Sequence, residues 1–208
     1  MKLKKKVKIT LYIILLLIVA FTGVFVYKKF YDKPDDIKEV KVVNKVEKYG
    51  YSLKESKPAK YKEMFKELKE ILSKDKVDEE EYVKKISEMF IYDFYSLNDK
   101  VAKTDIGGTD FVYNEVLENF IQNAQNTYYK YIESNIYNNR KQSLPVVATI
   151  SIDNVEKKAF AYGDKTDEEA YVVDVSWTYT DDQFSDYQNK ATLVFIHDDI
   201  KLSLVELQ

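Results

Sequence analysis

Residues 9–27 run for 19 positions without a charged side chain. Five lysines (Lys2, Lys4, Lys5, Lys6, Lys8) and no acid precede the run, and Lys28 and Lys29 close it. At 1.5 Å per residue a helix of that length reaches about 28 Å, the depth of a bilayer's hydrocarbon core. Tyr27 and Phe30 fall where interfacial aromatic residues belong. The run is longer than the apolar region of a cleaved signal peptide, and Ala20-Phe21-Thr22 puts an aromatic ring where cleavage needs small residues. With no cysteine in the chain, lipoprotein processing is excluded. Lysines are in excess before the span, which places that end inside. The sequence therefore predicts a cytoplasmic start at 1–8, a transmembrane helix at 9–27, a juxtamembrane spacer at 28–36 and an extracellular domain at 37–208. That is a single-pass protein of the cell membrane.

The chain has 208 residues, 45% hydrophobic and 14% aromatic, enough for a packed core. The absence of cysteine removes disulfides, zinc ribbons, iron–sulfur clusters and thiol nucleophiles together. Residues 28–208 carry 27 basic and 35 acidic side chains, a net −8. Such a domain is a poor partner for nucleic acid, and docking on anionic lipid is not its main task. Arg140 is the only arginine among 32 basic residues. That bias, shared with Tyr, Ile and Asn, follows an AT-rich codon usage and carries no functional weight.

Residues 37–53 carry Val40, Val42, Val43 and Val46, then Tyr49, Tyr51 and Leu53 alternating around Gly50, and read as an edge strand, with a solvated linker as the alternative. Three helices follow. Tyr61, Met64, Phe65, Leu68, Ile71 and Leu72 recur at helical spacing after Pro58. Asp78 with Glu81 makes a capping box, stapled by Val77 and Tyr82. Val83, Ile86, Phe90, Phe94 and Leu97 form the stripe behind it. After Gly107-Gly108 a long helix capped by Thr109 or Asp110 extends to about Tyr137, on Val112, Val116, Phe120, Ala124, Tyr128, Tyr131, Ile132 and Ile136. Beyond Pro145 the period changes to two. Residues 147–162 form a strand bent at Asp153-Asn154, and residues 163–169 a turn. Residues 171–179 form a strand with Tyr171, Val173, Val175, Trp177 and Tyr179 on one face. Residues 191–197 and 201–207 pair across Asp198-Asp199.

Helices first and strands after them define an α+β fold: a transmembrane helix, then three helices on a curved, mainly antiparallel sheet of four to five strands. From Tyr61 to Leu207 this order resembles the cystatin-like cone of the nuclear transport factor two superfamily. With the single span it resembles the bitopic scaffold proteins of type IV secretion and conjugation systems. A well-built domain on a membrane tether, without a catalytic or cofactor motif, implies an interaction or scaffold role in the bacterial cell envelope, with an envelope protein or a second copy as partner and no cofactor. The alternative is a small-ligand-binding or enzymatic cone domain using a cleft between helices and sheet. The resemblance adds attachment to secretion or conjugation machinery. It transfers no functional residue. Tyr49-Gly50-Tyr51, Asp93-Phe94-Tyr95-Ser96-Leu97 and Asp105-Ile106-Gly107-Gly108 resemble fixed structural turns of a membrane-anchored bacterial family.

Catalytic and metal motifs are sparse. His197 is the single histidine, and its neighbours Asp198 and Asp199 point apart in a turn, so it reads as a satisfied strand-end residue. Gly107-Gly108 lacks the flanking pattern of a phosphate loop and reads as a turn between helices. Asp181, Asp182 and Asp186 lack calcium-loop spacing. Asp93 interrupts an apolar run; cone folds include isomerases that use a buried carboxylate as base, for which burial would raise its pKa. The alternatives are that it faces water or pairs with a tyrosine hydroxyl. Eighteen tyrosines exceed what a dry core satisfies. Tyr92, Tyr95, Tyr128, Tyr131, Trp177 and Tyr179, with Asp93, are therefore the expected lining of a ligand or partner cleft between helices and sheet. No catalytic, cofactor-binding or metal residue is assigned.

Overall fold

A short hairpin leads into the domain where the sequence suggests one strand. A computed structural model describes Thr22 and residues 41–208. Strand β1 (Val42–Val46) pairs antiparallel with β2 (Tyr51–Lys54). A 3-10 turn, Glu47–Tyr49, and Gly50 at φ +69° join them. Gly50 occupies the left-handed region without a Cβ penalty, so the chain reverses there instead of continuing. Tyr49, Tyr51 and Leu53 are buried.

Helix α1 (Ala59–Leu72) starts after Pro58, and α2 (Glu79–Tyr95) after Asp78. Asp78 accepts from the backbone N–H groups of Glu80 and Glu81 at 3.0 and 3.1 Å, whereas the Glu81 carboxylate turns to Lys74. Only half of the capping box forms. Eleven residues of α2 are buried, including the whole run Met89–Tyr95, so this helix is the core's central rod.

Helix α3 (Asn114–Asn126) is shorter at both ends than its apolar stripe suggests. A 3-10 turn at Thr109–Phe111 precedes it. At the other end the Thr127 hydroxyl donates to the Asn123 carbonyl, and the Tyr129 N–H donates to the Ala124 carbonyl. Asn, Gln and Thr in succession favour such local bonds over helix continuation. The exit rotates Tyr129 and Ile132 inward and leaves Tyr131 and Ile136 exposed.

Strands β3 (Val147–Tyr162), β4 (Lys165–Tyr179), β5 (Lys190–Asp198) and β6 (Lys201–Leu207) form one antiparallel sheet in that order. The register shifts between Ile152 and Asn154, where the sequence suggests a bend. The expected turn at 163–169 contracts to Gly163-Asp164, and the acids after it belong to β4. Tyr171, Val173, Val175 and Trp177 are buried on the face toward α2, and Ala170 and Ile196 pack with Tyr113 in a separate cluster. The domain is thus α+β, with three helices, a four-stranded antiparallel sheet and a two-stranded one among the described residues. No helix among them is long and apolar enough to cross a membrane. The expected start at 1–8, span at 9–27 and spacer at 28–36 lie, Thr22 apart, outside the described residues.

Candidate functional site

A cleft of about 790 Å³ opens between α3, the end of α2 and the edge strand β6. Phe94, Tyr95, Phe120 and Tyr128 line its aromatic side, Val112, Val116 and Leu207 its aliphatic side, and Asn119, Asn123 and Gln188 are among its polar residues. The rings are mutually fixed. Phe94 packs with Phe120 at 5.2 Å between centroids and with Tyr128 at 5.9 Å, and Tyr95 meets Tyr128 edge-on at 4.9 Å. The Tyr128 and Tyr179 hydroxyls share a hydrogen bond of 2.9 Å, and Tyr179 donates to the Gln188 carbonyl at 2.7 Å. Burial pushes the Tyr128 and Tyr95 phenols well above their ordinary range, so both stay neutral donors.

Strand β6 also presents backbone to this cleft. Thr192 and Gln208 exchange both of their N–H···O bonds, at 3.0 and 2.9 Å. In an antiparallel ladder the residue next to such a pair points its amide and carbonyl the other way. Leu207 therefore turns both groups from β5 toward the cleft. Across the register shift from Leu207, the outward carbonyl of Leu204 accepts from the Tyr113 N–H at 2.8 Å, and Val112 forms a parallel bridge there. The edge already takes up one stretch of added chain.

Of the residues expected in the cleft, Tyr95 and Tyr128 line it, and Tyr179 braces it through the Tyr128 hydroxyl. Trp177 lies behind Tyr95 with ring centroids 4.3 Å apart. Its indole N–H is buried near the Tyr179 hydroxyl but makes no hydrogen bond of good geometry. Tyr92 is buried elsewhere, with Lys60 over its ring, and Tyr131 is 76% exposed. Tyr131 leaves the site because α3 ends at Asn126. Phe94, Phe120, Asn119, Asn123 and Gln188 join the site beyond the sequence expectation. Helical spacing assigns the two phenylalanines to core stripes, and the asparagines recurring along α3 are the available signal.

Asp93 stands outside the cleft. It is buried, as one of the expected environments has it, and does not face water, but it pairs with lysines and not with a tyrosine hydroxyl. Its Oδ1 receives the ammonium groups of Lys57 at 2.5 Å and Lys100 at 2.9 Å, and its Oδ2 receives the Gly108 N–H at 2.8 Å. Burial raises the carboxyl's pKa, but the Lys100 and Lys57 ammonium groups more than offset this and hold it down to about 2. Both oxygens are thus engaged, and a carboxylate held that low is a weak base at neutral pH. The Gly108 bond to Asp93 and the Gly107 N–H, which donates to the Tyr129 hydroxyl at 3.1 Å, fix Gly107-Gly108. A Cβ on Gly107 would fall on the Asp93 carbonyl, and one on Gly108, at φ +74°, would lie 2.6 Å from the Phe90 ring.

His197 pairs with neither adjacent aspartate. Its N–H and Nδ1 meet Asp167 Oδ2 at 2.7 and 2.9 Å, and its Nε2 lies 3.6 Å from Glu79 Oε2. Tyr171 donates to the same Glu79 oxygen at 3.1 Å. This cluster ties the start of α2 to the sheet. Among the described residues no group of three or more His, Cys, Asp or Glu side chains is placed to hold a metal ion.

Comparison with protein-family models, with curated proteins and with solved structures finds no match for the chain.

Proposed function

We propose that the protein is a membrane-anchored interaction module of the bacterial cell envelope, with no catalytic role, and that a partner enters the cleft between α3 and β6. The cleft carries the proposal. It combines rigid aromatic rings, polar side chains and an outward-facing strand edge, while Asp93 is locked in ion pairs outside it. Aromatic anchors in a groove beside a strand edge suit strand addition by an extended segment, where main-chain bonds hold the peptide and apolar side chains fill the hollow. The charge-free run at 9–27 supports the anchor and the outside location of the domain. The α+β element order supports the kinship to the cystatin-like cone and to secretion or conjugation scaffolds.

The test is site-specific photocrosslinking in cells, with benzoylphenylalanine replacing Asn123 on the cleft and, as control, Asp164 in the β3–β4 turn. A discrete protein adduct at 123 and none at 164 is expected. Filling the hollow with Ala124→Trp should abolish the adduct. No adduct at 123, with the full chain monomeric in detergent, would overturn the reading. A cleft of this volume also suits a small apolar ligand. Recovery of such a ligand with the purified full chain, and no protein adduct, would replace a protein partner with a small molecule.

A further inference from the structure

Residues 128–141 form an irregular loop held in shape by its own polar side chains. The single arginine does most of this. Arg140 Nη1 donates to the Lys100 carbonyl at 2.7 Å and Nη2 to the Asn98 carbonyl at 2.7 Å, stapling the loop to the segment that follows α2. The Asn135 N–H donates to the Val101 carbonyl at 2.7 Å, Asn135 Oδ1 accepts from the Arg140 N–H, and Gln142 bonds both Tyr131 and Glu133. Asn138, at φ +53°, makes the tight turn that an asparagine tolerates. This fixed loop shows apolar side chains to the outside: Tyr131 is 76% exposed, Ile136 66% and Tyr137 82%, with Val101 at 46% beside Asn135. A loop that spends its polar groups inward and its large apolar groups outward is pre-organised to bury them against something.

We propose that this face docks on the headgroup interface of an anionic phospholipid bilayer, an inference that rests on the anchored reading. Two observations select lipid over a protein partner. First, the described chain begins at the same end of α2. Val42 pairs with Lys54, three residues before Lys57, and Lys57 and Lys100 share Asp93 Oδ1. The 13 residues at 28–40 reach at most about 45 Å when extended, so the loop lies within range of the surface to which the chain is tied. Second, charge is divided along the chain. Residues 142–208, the sheet, hold 13 acids against 5 lysines, which is the entire net −8 of residues 28–208. Residues 28–141 are neutral. An anionic surface repels the sheet and accepts the helical half, where Lys103, Lys130 and Lys141 flank the exposed tyrosines against Asp105 and Glu133. Lys130 sits over the Tyr131 ring at 5.2 Å, the mixture of ring and ammonium that bilayer interfaces favour. The domain's overall acidity therefore orients it on lipid and does not exclude it.

The absence of native cysteine gives a clean test. The full chain carrying Tyr137→Cys, and separately Asp164→Cys, is labelled with an environment-sensitive nitrobenzoxadiazole dye in vesicles of phosphatidylethanolamine and phosphatidylglycerol. Blue-shifted emission at 137 is expected, with quenching by shallow nitroxide lipids several-fold greater than at 164. Ile136→Asp in the same chain should return the 137 signal to that of 164. A chain that floats with the vesicles and resists alkaline extraction, yet shows aqueous emission at 137, overturns the docking and leaves the anchor standing. A blue shift without nitroxide quenching means contact with protein and also overturns it. Quenching at 137 in a chain that alkaline extraction removes supports the docking and refutes the anchor. A chain that does not float refutes both.

Discussion

Asp93 joins three separate turns of the chain, holding Lys57 at the approach to α1, Lys100 after α2 and the Gly108 amide before α3 on one carboxylate. Breaking a buried ion network by removing one partner leaves uncompensated charge, so Asp93→Asn should cost about 3–5 kcal/mol in denaturant unfolding. The pH dependence has a definite sign. The folded pKa is held down to about 2, whereas an unfolded aspartate titrates near 3.9. The contribution is complete above about pH 4 and is lost as pH falls through 2, amounting to about 2–3 kcal/mol. Unfolding curves between pH 5 and 2 should show this acid limb in the wild type, and Asp93→Asn should lack its share. Gly107→Ala drives a methyl into the Asp93 carbonyl and should cost about 3 kcal/mol. Gly163→Ala meets no atom within 4 Å and should cost only the left-handed strain, about 1–2 kcal/mol. Equal losses at the two glycines would show that close approach is not what Gly107 provides. The interruption at Asp93 is legible in the sequence, but its three partners are not. They come from separate turns 36, 7 and 15 residues away, and only the folded chain brings them to one carboxylate.

At the scale of elements, legibility depends on whether a local pattern has a local competitor. The stripes of α1 and α2 and the alternation of β3 have none, and those elements lie where their periodicity puts them. The third stripe, from Val112 to Ile136, is apolar at helical spacing throughout, yet α3 stops at Asn126 because side-chain and backbone bonds at 123–129 outcompete the next turn. That termination buries Tyr129, whose hydroxyl donates to the Phe94 carbonyl and accepts from the Gly107 N–H. It also exposes Tyr131, so the candidate site is half legible: the surplus of tyrosines singles out Tyr95 and, just past the break, Tyr128, which line the cleft, together with Tyr131, which the helix end carries away from it. Likewise Gly50 divides one expected strand into two. The α2 cap offers a test of which local signals carry energy. Asp78→Ala removes the acceptor for two backbone N–H groups and should cost about 1 kcal/mol. Glu81→Ala loses only an exposed ion pair with Lys74 and should cost a few tenths. Denaturant midpoints at unchanged slope measure both, and equal losses would mean that the full capping box operates in solution.

For the molecule as a whole, the decisive question is where the domain is held, because the cleft and the Arg140 loop gain their proposed partners from that location. Chain length and charge support the anchor. Nineteen uncharged residues between a five-lysine start and Lys28-Lys29 match one span with its start inside. Leu16 lies near the middle of that run, so Leu16→Arg places a charge at the costliest depth, about 2.5–3.5 kcal/mol on insertion scales. Fractionation should show the variant partly lost from the membrane. The cleft and the Asp93 network are built from residues beyond 41, so the variant domain should keep the wild-type unfolding midpoint. Orientation has its own readout. Protease added to intact, wall-stripped cells should remove a tag placed after Gln208 and spare one placed before Met1. Loss of the amino-terminal tag from the mature chain, with the domain found in the medium, would establish cleavage. The cleft would then belong to a released protein and the loop to a surface the chain is no longer tied to.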